Sequence, residues 1–156
     1  MRKHKYRVWL KAEKKMIYNC YFNKNFVFSY TTNADEQTVY PIKDCIIMEA
    51  TGIFDNTKFK NLSPEQKNNW LKNNQEEDFK GIEIYEGDVV SLRYSKDNTE
   101  YSVVNYSTRS AQYCKGYNAL SSYQKLTTIA GNLYEGYPET AKRDVEYYQK
   151  EISNEN

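Results

Sequence analysis

The 156-residue chain has a single histidine, His4, three widely spaced cysteines, and no apolar run long enough to cross a bilayer. Each scarcity removes a class of function. His4 lies in the basic opening Met1-Arg2-Lys3-His4-Lys5, so no Ser/His/Asp or Cys/His set is available to activate a nucleophile. Cys20, Cys45 and Cys114 are odd in number and form no Cys-x-x-Cys pair. Neither a disulfide framework nor a zinc site is therefore expected, and a reducing cytoplasm suits the chain best. The basic N-terminus lacks the apolar segment of a signal peptide. No glycine-rich phosphate loop or dinucleotide fingerprint appears, and no cofactor is expected.

What is present is tyrosine and charge. Sixteen tyrosines and 39% apolar residues accompany a mean hydropathy of −0.92. That is too aromatic for disorder, and the length fits one domain, residues 1–156, with a core of its own. Tyrosine favours strands and half-buried surfaces, because its ring packs while its hydroxyl stays wet. The net charge is only +1, but residues 1–24 carry eight cations (Arg2, Lys3, Lys5, Arg7, Lys11, Lys14, Lys15, Lys24) against Glu13 alone. Acids cluster in 76–100, and 101–134 contain none. Such blocks either steer a partner or pair within the fold or across a subunit contact.

The pattern along the chain is mainly β. Tyr6, Val8 and Leu10 share one face at the period of a strand, and the charged run Lys11–Lys15 suits a turn. Met16–Phe22, Asn25–Thr32, Thr38–Tyr40 and Asp44–Ile53 are further strands. A turn is expected at Asn33–Glu36, and Pro41 keeps its strand off a central ladder. Val89–Tyr94 and Tyr101–Tyr106 form a hairpin about Lys96-Asp97-Asn98-Thr99. Gln124–Tyr134 is the last β-segment. Between strands, Ser63 can cap a helix that starts at Pro64, with Gln66 three residues on, and runs to about Asn73. It belongs to a polar helical insertion over 57–80. A terminal helix over 137–153 places Ala141, Val145, Tyr148 and Ile152 on one face, either to cover the sheet or to pair with another subunit. Glu139–Arg143 and Glu146–Lys150 are favourable i,i+4 pairs on it.

The stretch Ile84-Tyr85-Glu86-Gly87-Asp88-Val89-Val90 poses the question of chemistry most directly. Gly87 permits a backbone angle other residues resist, and Asp88 can accept from turn amides, so the run reads as the start of a strand. A carboxylate-only metal site would draw on Glu83, Glu86, Asp88, Asp97 and Glu100, but no nearby histidine supports it, and no metal is expected.

Three blocks in order resemble the YopX-like family of small phage and prophage proteins, mostly from Gram-positive bacteria. They are Lys5–Tyr18 (KYRVWLKAEKKMIY), Ala50–Asn56 (ATGIFDN) with Gly81–Val90 (GIEIYEGDVV), and Ile129–Glu135 (IAGNLYE). The resemblance implies a mainly β fold of small twisted sheets or an SH3-like barrel, and residence in the cytoplasm of a bacterial host. It implies no catalytic residues. The chain departs from the family pattern at 57–80 and in its C-terminal helix.

The expected function is therefore binding rather than catalysis. The partners would be a second copy of the chain, as a homo-oligomer, and a host or phage protein, with no membrane contact. Tyrosine-rich surfaces supply rigid anchors for such contacts, and Trp70 on the inserted helix is a candidate anchor. The alternative is single-stranded nucleic acid, held by Tyr106, Arg109, Tyr113, Lys115, Tyr117, Tyr123 and Lys125, since bases stack on rings and cations hold phosphates. Equally, these tyrosines can be cross-strand packing partners.

Overall fold

The structure, a computed structural model, describes residues 5–30, 36–107, 109, 112–115 and 118–155, the side chains of 152, 154 and 155 excepted. His4, Tyr117 and all but Glu36 of the expected turn at Asn33–Glu36 lie outside the described residues. The fold is mainly β, as the alternating pattern implies, with its sheets curled into a half-barrel.

The elements run β1 (Tyr6–Leu10), β2 (Lys15–Ile17), β3 (Cys20–Phe22), β4 (Phe26–Tyr30), β5 (Gln37–Pro41) and β6 (Cys45–Phe54). Then come α1 (Pro64–Leu71), β7 (Glu83–Tyr85), β8 (Asp88–Ser95), β9 (Asn98–Ser107), β10 (Gln112–Lys115), β11 (Asn118–Ala119), β12 (Thr127–Asn132) and α2 (Lys142–Glu155). They form a four-stranded sheet in the order β2-β1-β6-β7, a five-stranded sheet β11-β10-β9-β8-β12 and a three-stranded sheet β3-β4-β5. Among the described residues every pairing between these strands is antiparallel, which hairpin connections favour.

Met16–Phe22 does not form one strand. Asn19 takes φ 53°, and the chain turns there out of the four-stranded sheet into the three-stranded one. Asparagine tolerates this left-handed backbone better than most residues. Pro41 ends β5, an edge strand, where its missing N–H costs no ladder bond. Ser63 caps α1: its hydroxyl accepts from Gln66 N–H at 3.2 Å, while Gln66 accepts from Ser63 N–H at 2.9 Å. The terminal helix begins at Lys142, later than its sequence pattern implies, because a 3-10 turn over Glu139–Ala141 follows Pro138. Its first turn pairs Lys142 with Glu139 at 3.8 Å.

The core has three parts. Val8, Leu10, Ile17, Val27 and Cys45 fill the space between the four- and three-stranded sheets. Ile84, Val90, Leu92, Val104 and Leu120 lie on one face of the five-stranded sheet. Val89 and Val103, on its other face, meet Ala141 and Val145 at α2. The α2 face thus covers the chain's own sheet.

Gly87 stands where the sheets meet. Its N–H donates to Val104 O at 2.9 Å and its carbonyl accepts from Leu133 N–H at 3.0 Å, while Glu86 N–H reaches Glu49 O at 3.0 Å. Its φ of 78° is the backbone state that favours glycine, so the motif's central residue is set by turn geometry.

Candidate binding surfaces

The Asp88 carboxylate of the Glu86-Gly87-Asp88 turn faces inward. Arg7, on the opposite face of β1 from Val8, lies 2.7 Å from Asp88, and both side chains are almost wholly buried. Arg7 Nη2 also donates to Glu86 O at 3.1 Å, and its guanidinium carbon sits 4.9 Å from the Tyr85 ring centroid. The second Asp88 oxygen accepts from Tyr85 N–H at 2.8 Å. Burial raises the Asp88 pKa despite the opposing pull of Arg7, and Arg7 Nε has no hydrogen-bond partner. Burial and the Glu83 charge push the neighbouring Tyr85 phenol to about 12. The alternation of β1 marks Tyr6, Val8 and Leu10; Arg7, the buried cation between Tyr6 and Val8, carries no apolar signal.

The remaining acids of that cluster have separate tasks. Glu83 pairs with Lys5 at 2.9 Å, and Glu100 accepts from Tyr94 at 3.1 Å and Tyr148 at 3.0 Å. Asp97 is exposed in the β8–β9 turn. Among the described residues, no three His, Cys, Asp or Glu are grouped to hold a metal ion. No disulfide joins Cys20, Cys45 and Cys114. No helix among the described residues is long and apolar enough to cross a membrane.

A second buried acid, which the sequence reading overlooked, organises the neck of the insertion. Asp55 Oδ1 accepts from Thr57 N–H at 3.0 Å and Ile82 N–H at 2.8 Å; Oδ2 accepts from the Thr57 hydroxyl at 2.8 Å and Ile129 N–H at 3.2 Å. Gly81 packs so tightly here that an added Cβ would lie 2.1 Å from Asp55 O. The Asp-Asn-Thr run after β6 is the available sequence signal, since Asp readily bonds a backbone amide two residues on.

The residues of 101–134 only partly share a surface. Tyr106 and Tyr113 are cross-strand partners whose rings meet edge-on at 5.1 Å; Tyr106 is exposed, while the Tyr113 hydroxyl donates to Glu49 at 2.8 Å. Lys115 is 3% exposed: its ammonium lies 4.4 Å over the Tyr123 ring, donates to the Tyr94 hydroxyl at 3.3 Å and sits 3.9 Å from Glu100. Arg109 and Lys125 are exposed.

Trp70 belongs to a different surface. It meets Phe79 edge-on at 5.2 Å and donates its indole N–H to Gln75 O at 2.8 Å, so the ring packs within the insertion. Beside it runs a groove of about 430 Å³, with Phe54, Leu62, Trp70 and Phe79 as apolar walls and Gln66, Asn69 and Asn74 as amides on its margin.

The largest aromatic display is on the three-stranded sheet. The register Tyr21↔Phe28↔Val39 places these residues on one face with Phe26 and Tyr30, opposite buried Val27. Tyr21, Phe26, Tyr30 and Val39 are 44, 41, 52 and 46% exposed. Tyr21 stacks on Phe28 at 4.8 Å and 11°, and approaches Tyr30 at 5.5 Å. The strands were legible from the sequence; the outward aspect of this face depends on which side the rest of the chain covers.

No family model matches the chain, and no curated protein matches it. A solved structure does: protein EF1440 from Enterococcus faecalis, a Gram-positive bacterium, superposes with a TM-score of 0.51 at 17% identity, over 86% of this chain and 96% of that one. At this identity the likeness is one of fold.

Proposed function

We propose that the protein is a non-enzymatic phage or prophage accessory protein that acts by binding protein, itself included, and that the groove beside α1 receives an extended segment of a host or phage partner. The groove at Trp70 carries this reading. It combines apolar side chains that can bury one from a partner with the amides of Gln66, Asn69 and Asn74, and with the Lys5–Glu83 pair in the lining. These amides can bond a peptide backbone beyond their contacts with Ser63 N–H, Lys72 and Trp70 O. The three-block YopX-like resemblance supports a phage or prophage origin, and a fold shared with a protein of a Gram-positive bacterium agrees with it. The nucleic-acid reading retains Tyr106, Arg109 and Lys125 at the surface but has Lys115 engaged internally.

A random-peptide array probed with the full chain tests the proposal. Enriched peptides should share an apolar anchor, and Trp70→Ala should weaken their binding by about tenfold or more, as for an interface hot spot. Binding to labelled single strands that falls steeply with salt, with no peptide enriched, would favour the alternative.

A further inference from the structure

We propose that the outer face of β3–β4–β5 docks against the same face of a second copy, with the strands of the two copies antiparallel about a two-fold axis. This rests on the self-association in the reading above and assigns its surface and symmetry.

The sheet has one satisfied face and one open one. Val27 is wholly buried, and Cys20 and Tyr40 pack with it against the core. On the other side, Tyr21, Phe26, Phe28, Tyr30 and Val39 form a continuous apolar patch. Aromatic rings cover about 150–250 Å² each when fully buried, so these half-exposed groups present on the order of 300–400 Å². That is within the range of the largest apolar patch on a typical monomer, which is often functional, but below the ~800 Å² per partner of a standard stable interface. Association through this face should therefore be reversible and concentration-dependent.

Geometry favours face-to-face packing over pairing at an edge. Edge strand β3 has three residues, and the other edge, β5, ends in Pro41, so neither offers a long ladder. Packed sheets instead interdigitate side chains from their facing surfaces. The ring arrangement also bears on nucleic acid. A base-stacking platform offers free ring faces, whereas Tyr21 and Phe28 each turn one face toward the other at 4.8 Å.

Charge sets the direction. The exposed cations Lys24 and Lys43 lie at the Phe26–Pro41 end of the sheet, where Lys11 Nζ also donates to Lys43 O; Asp44 and Glu13, which acts on Tyr40, are acids near that end. Exposed Glu36 precedes Gln37 at the opposite end, beside Tyr30. A parallel arrangement would place like ends together. The antiparallel arrangement sets the cationic end of each copy over the acidic end of the other, and a two-fold axis makes that contact twice.

Sedimentation of the full chain across a concentration series tests this. The wild type should form a dimer with a dissociation constant on the order of 10–100 µM, in keeping with a small interface. Tyr21→Ser/Tyr30→Ser, with its circular dichroism unchanged, should weaken the dimer by about tenfold or more. Lys24→Glu and Glu36→Lys should each weaken it alone, and an equimolar mixture of the two should restore it, because both cross-contacts then join opposite charges. A dimer that survives the tyrosine substitutions, or a mixture that stays dissociated, would overturn the assignment. A wild type that remains monomeric throughout would overturn self-association itself. Labelled single strands bound by the wild type and lost with the tyrosine substitutions would assign the face to nucleic acid instead. The Trp70 groove is scored separately, since peptide binding should persist in Tyr21→Ser/Tyr30→Ser.

Discussion

Two sheets in this molecule have apolar residues on both faces, and they are finished differently. In the five-stranded sheet, Val90, Leu92 and Val104 point into one core, while Val89 and Val103 on the reverse are covered by Ala141 and Val145. The three-stranded sheet buries Val27 but leaves Tyr21, Phe26, Tyr30 and Val39 exposed. The composition of each uncovered or covered side follows its fate. Aliphatic valines suit a dry, close-packed contact; tyrosine and phenylalanine suit a face that must tolerate water alone and still bind when covered. The contrast teaches that α2 answers a local packing need, so self-association is better sought at the other sheet.

The largest test removes the charge pair near the junction of the sheets. Asp88→Asn keeps an acceptor for Tyr85 N–H but leaves Arg7 buried without its counter-charge, and should cost about 3–5 kcal/mol in denaturant unfolding. A smaller loss would mean that the charges are not the tie between these regions. The next compares the two reverse faces directly. Val145→Ala, at a wholly buried position, should cost about 2 kcal/mol, whereas Tyr30→Ser on the open face should change the monomer's stability by only about 0.5 kcal/mol. Similar losses at both sites would erase the distinction.

The smallest effect is alkaline. Burial and Glu100 raise the Tyr148 phenol from its ordinary value of 10.0 to about 12 in the folded chain. The folded state therefore holds this proton more tightly. The stability it contributes is fully present below pH 10 and is lost as pH rises through about 12. Tyr148→Phe should reduce the fall in stability across that window, and ultraviolet titration should lose a late-ionising tyrosine. An unchanged profile would place the raised value elsewhere.

Much of the fold was legible because its signals are local. Ser63, Pro64 and Gln66 announce the start of α1 within four residues, and the β8–β9 hairpin follows from alternation about a strong turn. Sheet membership was not legible, because it depends on contacts distant in sequence. The break at Asn19 illustrates this: β-prone residues continue across it, yet the two halves join different sheets. The same limit governs the candidate sites. Lys115 resembles a surface cation until Glu100, Tyr94 and Tyr123 are brought around it. Tyr21 and Tyr30 resemble ordinary strand residues until the chain covers only the other side of their sheet. Trp70 was visible as an apolar residue on a polar helix, but its groove required Phe54 and Phe79 from outside that helix.

Asp55 has a consequence for how this architecture can change. Its carboxylate binds the amides on both sides of the inserted segment, and its own N–H donates to Ile82 O at 2.9 Å. The loop is thereby fastened at its base, whatever lies beyond. Helices of other lengths, or a short linker, grafted between Thr57 and Lys80 should therefore leave the hydrogen bonds of the half-barrel beneath in place. The molecule is built as a fixed chassis with an exchangeable head.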